Sequence, residues 1–486
     1  MSRKSSMLSA GYAAARPDRI VGNFWIGASS NRDRIRDDLM GLVAHSRKAA
    51  RDNDHMRAFL NLVERHVIGP TGIALRMQVR DAGGGLDRNT NTAVETEFKR
   101  WARRGNCTVC GRHSLASLSR MAVRMSARDG QMFLRLYRGR KAGRWGLRVQ
   151  ALPIDMLDID KCEEFEGGGY IDGGIECDPL GRPVAYHMFT VHPRSRLARR
   201  RERIRVPAAQ IIHIGRVSDP EHLLSEPWAH TALRRLSQLS DLDESALAAA
   251  RYGARKFGFF TRQADAMSPS PVEGDDQDED TTEIGEWDTL PTGYDVANWD
   301  PKYPDQQLGP FAKHMLRAGA AGMGVSYAAL TNDLEGANFS SLRAGQGEER
   351  DEWRVLQQGF IESALEPLFC AWLEMALLSS AVPGGIAVYD QLDAAAWRPR
   401  GWPAVNPKDD AIANSQDLHH RLTSPQRIVE ARGHDFGEVL DEIAEAHRMA
   451  EERGIPLDVF EPSTSLLYTK PDSGEDKDDD DDKDDA

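Results

Sequence analysis

The sequence lacks most features that mark enzymes, membrane proteins and disulfide-bonded proteins. Its 486 residues include five cysteines, too few for a disulfide framework, which indicates a reducing compartment. It has no run of about eighteen apolar residues, as a membrane-spanning helix would need, and its N-terminus has no apolar stretch typical of a secretory signal. The patterns GxxxxGK[ST], HExxH and GxSxG are also missing. We therefore expect a protein of several structural units that is not an enzyme and needs no cofactor.

One short motif leaves zinc binding open. Cys107, Cys110 and His113 offer two thiols and an imidazole at a spacing that suits three of the four tetrahedral positions around zinc. No second CxxC or HxxxH supplies the remaining geometry. We therefore favour ordinary thiols and expect no metal site. The adjacent His419 and His420 lie on a polar helical stretch and are predicted to be solvated.

Charge is segregated along the chain. The net charge is −13, but nine acids and two lysines in residues 475–485 supply −7 of it. Residues 99–148 hold fourteen Lys or Arg and one acid, and residues 193–205 hold seven arginines. Residues 271–300 reverse this pattern with eleven acids and no Lys or Arg. Such segregation indicates charge-complementary partners or neighbouring copies of the chain. No DNA-recognition module accompanies the basic runs, so sequence-specific DNA binding is not expected.

Apolar periodicity predicts a mainly helical α+β protein. Helices are predicted over residues 34–68, 92–104, 114–129, 227–257, 307–323, 339–380, 408–422, 425–432 and 435–453. Strands are predicted at 73–79, 131–137, 145–152, 183–189 and 209–215, with further candidates at 257–260 and 294–300. The stretch 174–188 has the turn residues of a hairpin. The last thirty residues are predicted to be disordered.

The stretch GVSYAALTNDLEGANFSSLRAG (324–345) is predicted to be a polar loop between two helices, and it carries the most information in the chain. Together with four other segments, in the same order, it resembles the lambda-like family of phage portal proteins. The five segments are HVIGPTGI (66–73), GIECDPLGRPVAYHM (174–188), the long stretch 206–244, the stretch 311–345 that contains the loop, and SPQRIVEARGHDFGEVLDEI (424–443). One departure is SDPEHLLSEPW (218–228), where the family tends to carry basic residues.

The resemblance implies the portal fold, in which copies assemble as a cyclic ring of about twelve around a central DNA channel. It divides the chain into regions with expected roles. They are a flexible arm (1–33), the wing (34–226), stem helix 1 (227–257), the clip (258–306), stem helix 2 (307–324), the tunnel loop (325–340), a long helix that returns to the wing (341–404), the crown (405–460) and an acidic tail (461–486).

The resemblance also implies partners and site residues. The expected partners are further copies of the chain, double-stranded DNA without sequence specificity, the terminase large subunit, the major capsid and scaffold proteins and the head-tail adaptor. The expected location is the portal vertex of the virion, after assembly in the host cytoplasm. The channel residues would be Thr331, Asn332, Asp333, Glu335 and Asn338. The docking residues of the clip would be Asp275, Asp276, Asp278, Glu279, Asp280, Glu283, Glu286, Trp287 and Asp288.

The channel segment makes physical sense for a conduit. DNA must slide in both directions, and strong contacts repeated around a ring would act as brakes. The stretch 331–338 carries two carboxylates and no basic residue, which favours weak contacts with phosphates. Two alternatives stay open: another structural protein of a phage head or neck, and an enzyme that acts on nucleic acid.

Overall fold

A computed structural model of the chain describes residues 31–196, 202–254, 258–262, 294–298, 307–335, 339–402, 407–434 and 436–454. These residues form helices α1 (Asn31–Asp52), α2 (Asp54–Val63), α3 (Arg88–Trp101), α4 (Leu115–Asp129), α5 (His230–Ala254), α6 (Leu308–Gly322), α7 (Tyr327–Thr331), α8 (Phe339–Phe360), α9 (Glu366–Leu378), α10 (Tyr389–Leu392), α11 (Pro407–His419), α12 (Pro425–Ala431) and α13 (Phe436–Glu452). The fold is predominantly helical α+β, as the sequence predicted.

The strands form four small antiparallel sheets. The strands are β1 (Ala74–Met77), β2 (Gln131–Arg138), β3 (Leu147–Pro153), β4 (Glu163–Glu164), β5 (Tyr170–Asp172), β6 (Ile175–Cys177), β7 (Pro183–Phe189), β8 (Arg203–Pro207), β9 (Ile211–Gly215), β10 (Gly258–Arg262), β11 (Tyr294–Asn298) and β12 (Ala395–Arg398). The sheet orders are β1-β12, β3-β2-β9, β4-β5-β6-β7-β8 and β10-β11. All the predicted strand regions are confirmed.

The structure divides the helix predicted over residues 34–68. Asn53 adopts an extended backbone (φ −116°, ψ 123°), and its side-chain oxygen accepts a hydrogen bond from the N–H of Met56 at 2.9 Å. This N-cap ends α1 and begins α2, even though the apolar pattern runs through it. The last turn, Glu64–Ile68, widens to a π-helix, and Gly69 ends it at φ 75°. Apolar periodicity alone could not reveal a cap inside a continuous pattern.

Two hydrophobic clusters form the body of the protein. The larger packs α2, α3, α4 and α9 against the sheet β3-β2-β9, with Trp101 and Trp372 fully buried at its centre. The smaller packs Leu39 and Val43 of α1 against the five-stranded sheet at Tyr186. Each contains large apolar side chains removed from water, which is the main favourable contribution to folding.

A buried ion cluster joins the elements of these two clusters. Arg47 of α1 donates to both oxygens of Asp129 at 3.0 and 2.9 Å, and to both oxygens of Asp155 at 3.0 and 2.6 Å. Asp129 ends α4 and Asp155 follows β3, and both carboxylates are almost fully buried. The neighbouring Arg128 also donates to Asp129. Because buried charges are costly unless paired, this cluster fixes α1 on the rest of the body.

Helices α5 and α6 form an antiparallel pair that extends from the body. Their near ends lie in the larger cluster, where the hydroxyl of Thr231 donates to the carbonyl of Gly322 at 3.2 Å. Beyond their far ends, β10 and β11 pair antiparallel with each other. Toward the far ends apolar side chains are exposed, with Leu247 at 52% and Phe311 at 51%. The pair is therefore packed on the body along much of α5, as far as the buried Ala246, and leaves apolar side chains exposed toward its far ends.

The remaining helices differ in burial, because α9 belongs to the core whereas α11, α12 and α13 lie on the surface. The predicted helix 339–380 consists of three consecutive parts: α8, a π-helical turn at Ile361–Leu365, and α9. Pro367 lies in the first turn of α9, where a proline is tolerated. Helices α11 and α12 have no buried residue and α13 has only Ala450. They contact the body through few bonds, among them the pair Arg76 Nη2–Glu438 Oε1 at 2.6 Å.

Candidate functional site

The candidate site is the segment that connects α6 to α8, at the end of the helix pair nearest the body. The sequence predicted a loop over residues 325–340, and this is wrong in one respect, because α7 lies inside it. The hydroxyl of Ser326 accepts the N–H of Ala329 at 3.2 Å and begins the helix. Leu330 is buried and fastens α7 to the body. The irregular parts that the structure describes are therefore residues 323–326 before α7 and residues 332–335 after it.

Thr331 and Asn332 shape the turn that leaves α7. The hydroxyl of Thr331 donates to the carbonyl of Tyr327 at 2.8 Å and accepts the N–H of Asp333 at 3.2 Å. Asn332 ends the helix in the left-handed region (φ 57°, ψ 23°), a conformation that asparagine tolerates better than most residues. The hydroxyl of Thr331 is thus engaged in the turn itself.

The carboxylate of Asp333 is held in place from several sides. Its Oδ2 accepts the hydroxyl of Tyr327 at 2.8 Å, and its Oδ1 accepts the backbone N–H of Glu335 at 3.0 Å. The backbone bond from Glu335 is the largest of the effects that lower the pKa of Asp333. Glu335 itself is 82% exposed. The carboxylate of Asp333 is therefore fixed by hydrogen bonds, whereas that of Glu335 is largely exposed to solvent.

Sequence reasoning missed Lys313, which lies on α6. Its Nζ is 2.9 Å from Oε2 of Glu335 and 3.4 Å from Oδ2 of Asp333. The hydrogen bond to Glu335 is the largest cause of a raised pKa for Lys313. The two acids and this ammonium together carry a charge of −1 rather than −2. Lys313 stands twenty residues before Asp333, so only the packing of the loop against α6 brings them together.

The other predicted site residues lie outside the described part of the chain. Asn338 of the tunnel loop is one of them. The others are the nine residues predicted to form the docking surface of the clip, namely Asp275, Asp276, Asp278, Glu279, Asp280, Glu283, Glu286, Trp287 and Asp288. Their roles stay predictions.

The cysteine motif has the contacts of ordinary thiols. Cys107 is buried, and its Sγ lies 3.5 to 3.8 Å from the carbonyl oxygens of Ala102, Arg103 and His113. Burial raises the pKa of Cys107 to about 11. Three surrounding carbonyl acceptors and a raised pKa favour the protonated thiol over the thiolate that binds zinc. Among the residues that the structure describes, no three His, Cys, Asp or Glu side chains are grouped as metal ligands would be.

Many basic side chains of the two basic runs have acidic partners within the chain. In the first run, Arg124 pairs with Glu64 at 2.6 Å and Arg138 with Glu374 at 2.7 Å. In the second, Arg205 pairs with Glu176 at 2.7 Å. Part of the charge in each run is thus paired within the chain. Within the described ranges, no helix combines the length and the apolar character that crossing a membrane requires.

Comparison with known proteins places this architecture in a family. A family model described as "Phage portal protein, lambda family" matches residues 18–357. The probable portal protein of Halomonas phage phiHAP-1 is 31% identical over 464 residues, which are 93% of this chain and 89% of that protein.

Solved structures of gene transfer agent (GTA) particles also show similarity to the chain. A chain in the neck of an empty GTA particle, computed with C6 symmetry, matches with a TM-score of 0.43 at 14% identity, over 82% of this chain and 93% of its own length. A chain in the virion of a native GTA particle matches with a TM-score of 0.40 at 13% identity, over 81% of this chain and 96% of its own. The extent of the family match and of the phage relative decides the assignment. This chain belongs to the lambda family of phage portal proteins.

Proposed function

We propose that copies of this chain close into a ring at one vertex of a phage capsid, and that double-stranded DNA enters and leaves through the hole. Membership in the portal family supports this role, which is structural rather than catalytic. The geometric observation that carries it is the antiparallel pair α5 and α6, with residues 332–335 bound to the pair through Lys313. Such a unit, repeated around an axis, gives a wall of helices with one polar segment per copy facing inward.

The regions of the chain then take distinct roles. The body, residues 34–226 with 341–404, forms the wing that meets the capsid and scaffold proteins. Helices α5 and α6 form the stem, and residues 258–306 form the clip that docks the terminase large subunit during filling and the head-tail adaptor afterwards. Residues 405–460 form the crown inside the capsid. We expect about twelve copies in the ring, located in the virion after assembly in the host cytoplasm.

The uncovered apolar residues of the stem support assembly with neighbouring copies. Leu247 and Phe311 lie on the two stem helices and are each about half exposed in the isolated chain. Helix α13 likewise exposes Leu440 and Ile443 at 48% each. Single exposed apolar side chains also occur on the body, so the assignment of these four to an interface rests on the proposed ring. A neighbouring copy in a closed ring would cover them.

The charge of the loop suits a channel through which DNA slides. The carboxylates of Asp333 and Glu335 repel phosphates. The ammonium of Lys313 offsets one of these two negative charges, so the net charge of the three groups is −1 per copy. DNA would therefore meet neither a strong electrostatic trap nor a strongly repulsive ring. Leu334, which is 59% exposed between the two acids, adds an apolar contact that does not depend on sequence.

Imaging of the purified full-length chain by negative-stain electron microscopy tests the ring. The proposal expects annular particles with a central hole. Compact monomers at high protein concentration would contradict it and would favour the second candidate, another structural protein of a phage head or neck.

A packaging assay tests the role of the loop. We expect that changing Asp333→Lys together with Glu335→Lys slows or stalls DNA packaging while rings still form. Each copy then presents two new lysines and a Lys313 that the two acids no longer neutralise, so phosphates are held more strongly. The matched control is Glu163→Lys with Glu164→Lys, two exposed acids of β4 in the body. Packaging that is unchanged in the loop variant, or reduced equally in the control, would contradict the role.

A further inference from the structure

An arginine-lined cavity shares no lining residue with the proposed channel loop. It has a volume of about 700 Å³ and opens where the π-helical turn after α2 meets the segment before α11 and the end of α12. Its wall includes Arg65, Arg120, Arg400 and Arg432, and we call it the arginine cavity. Four guanidinium groups around one open space would repel each other strongly unless something neutralises them.

Two of these arginines are held by neutral groups. Nη1 of Arg120 donates to the carbonyls of Gly69 at 3.2 Å and Pro70 at 2.8 Å. Nη1 of Arg400 donates to the carbonyl of Arg65 at 2.9 Å, and its guanidinium lies 5.5 Å from the centre of the Trp402 ring. Carbonyl groups and an aromatic ring orient a guanidinium without cancelling its charge. Both groups are therefore fixed in place and still positive.

The acid in the cavity wall is already used. Glu64 accepts a hydrogen bond from Arg124 at 2.6 Å, so this pair is neutral as a whole. Arg65 and Arg432 are exposed, and within the described ranges neither has a carboxylate partner. Burial, together with the charge of Arg65, lowers the pKa of Arg400, as expected for a cation near uncompensated cations. The cavity wall thus carries about four positive charges that no carboxylate in the described ranges neutralises.

Two glycines bring the arginines to the same cavity. A Cβ on Gly401 would lie 2.4 Å from the carbonyl oxygen of Ala431, and a Cβ on Gly433 would lie 2.8 Å from the nitrogen of Gly401. Glycine at both positions therefore lets the two backbones touch. This contact places Arg400 and Arg432, each next to one of the glycines, on the wall of one cavity. A side chain at either position would push the two segments apart.

We infer that the arginine cavity is a phosphate-binding site. Planar guanidinium groups bind phosphoryl oxygens in pairs of parallel hydrogen bonds, and arginines fixed in advance lose little entropy on binding. The phosphoryl group comes from the backbone of double-stranded DNA or from free phosphate. We favour DNA, a choice that rests on the proposed function, since Arg432 lies in the region proposed to face the capsid interior.

The test compares two charge-matched variants of the full-length protein. The site variant is Arg65→Gln with Arg432→Gln, and the control is Arg103→Gln with Arg104→Gln, two exposed arginines after α3. Inorganic phosphate binding is measured by ³¹P NMR line broadening, and binding of a short DNA duplex by fluorescence anisotropy at several salt concentrations. All four positions are exposed, so each variant should fold, which circular dichroism checks.

The site variant should lose phosphate broadening and bind the duplex about tenfold or more weakly. The slope of log K against log salt should also shrink by about one for each lost phosphate contact. Loss of phosphate binding with unchanged duplex binding would support the site with free phosphate as its ligand. An equal effect in both variants would show general electrostatic attraction and overturn the site.

A third variant tests a different occupant, the acidic tail of the chain. It changes all five aspartates of residues 478–482 to asparagine and leaves the length unchanged. The phosphate site predicts that inorganic phosphate binds the wild-type protein and this variant alike. Binding that appears only in the variant would show that the acidic tail fills the cavity and would overturn the proposal. Negative-stain images of the same samples report ring formation separately, so failure of the site and failure of the ring are distinguishable.

Discussion

The body of the protein and its projecting helices differ in how completely they bury their apolar side chains. The body has an enclosed core, with Trp101 and Trp372 at 0% exposure, although single apolar side chains such as Leu180 remain on its surface. The far part of the stem exposes Leu247 and Phe311, and α11 and α12 bury nothing. The body therefore has its own core, whereas the projecting helices need additional contacts for similar stability. This division is the one expected of a subunit whose projecting parts become buried only on assembly.

The two regions also use charge differently. In the body, Arg47 satisfies two buried carboxylates that are distant in sequence. In α13, Arg448 pairs with Glu445 and Glu452, one turn away on the same exposed helix. Removing one partner of a buried pair is strongly destabilising because it leaves the other charge buried and unpaired, while exposed pairs are screened by solvent. Four comparisons between matched residues follow: three contrast the body with the projecting helices, and the fourth contrasts two positions along α6.

The ion pairs offer the largest expected contrast. Arg47→Met leaves Asp129 and Asp155 with much of their charge unbalanced inside the body, and we expect a loss of about 3–5 kcal/mol in the free energy of unfolding. Arg448→Met removes an arginine with the same number of acidic partners from a solvent-exposed helix, and we expect no measurable change. Urea unfolding of the unassembled chain, followed by tryptophan fluorescence, gives both values. Equal losses would remove the distinction between the regions.

The same leucine truncation should act differently in the two regions. Leu373→Ala, in a fully buried position, should cost about 2–5 kcal/mol in the free energy of unfolding. Leu247→Ala should leave that free energy within about 0.5 kcal/mol but lower the fraction of protein in rings. Urea unfolding and size-exclusion chromatography measure the two effects. A Leu247→Ala variant that unfolds as easily as Leu373→Ala would show that the stem is part of the core.

Acid should weaken the body through two partly buried histidines, His213 and His66. Burial lowers the pKa of His213 to about 4, and burial with nearby arginines lowers that of His66 to about 4. The unfolded chain binds these protons near pH 6.5, so the free energy of unfolding should fall as pH decreases from about 6.5 to 4. His213 contributes up to about 3 kcal/mol of this fall, and His66 contributes less because it is partly open to solvent.

Urea unfolding at pH 7 and pH 5 measures this acid sensitivity. His213→Gln should reduce the difference between the two pH values. The control changes the exposed His419→Gln and His420→Gln of the projecting helices and should leave the difference as it is in the wild-type protein. A difference that persists fully in His213→Gln would mean that other groups cause it.

Two glycines of α6 give the smallest expected contrast. A Cβ on Gly322 would lie 2.6 Å from the hydroxyl oxygen of Thr231, whereas a Cβ on Gly319 would have nothing within 4 Å. Gly322→Ala should therefore cost about 1–3 kcal/mol, and Gly319→Ala should stabilise the helix by up to about 1 kcal/mol. Adding Thr231→Ala should restore part of the loss in Gly322→Ala. Thermal unfolding of the three variants measures these effects, and a Gly322→Ala variant as stable as the wild-type protein would contradict the close contact between α5 and α6.

Much of the fold could be predicted from the sequence because its signals are local. The apolar runs of β2 and β9, the cap at Ser114 and the stop at Gly130 depend on neighbouring residues, and each element is where the pattern indicated. The sequence failed where a local cap competes with a longer pattern. Asn53 divides a continuous apolar face, and Ser326 begins a short helix inside a polar loop.

The candidate site could be predicted only in part. Thr331, Asn332, Asp333 and Glu335 lie together on one short segment because they are neighbours in sequence. Lys313 could not be found, since its contact with the two acids depends on how the loop folds back on α6. The arginine cavity was missed for the same reason, because residues 65, 120, 400 and 432 come from four separate parts of the chain.

Photo-crosslinking to DNA tests most directly whether residues 332–335 face a DNA channel. A benzoylphenylalanine is placed at Leu334, and in a second sample at Leu180, which is 94% exposed on the body. Annular particles loaded with duplex DNA are then irradiated. The account predicts crosslinks to DNA from position 334 and none from position 180. Crosslinks from position 180 alone would place the DNA outside the proposed channel and contradict the account.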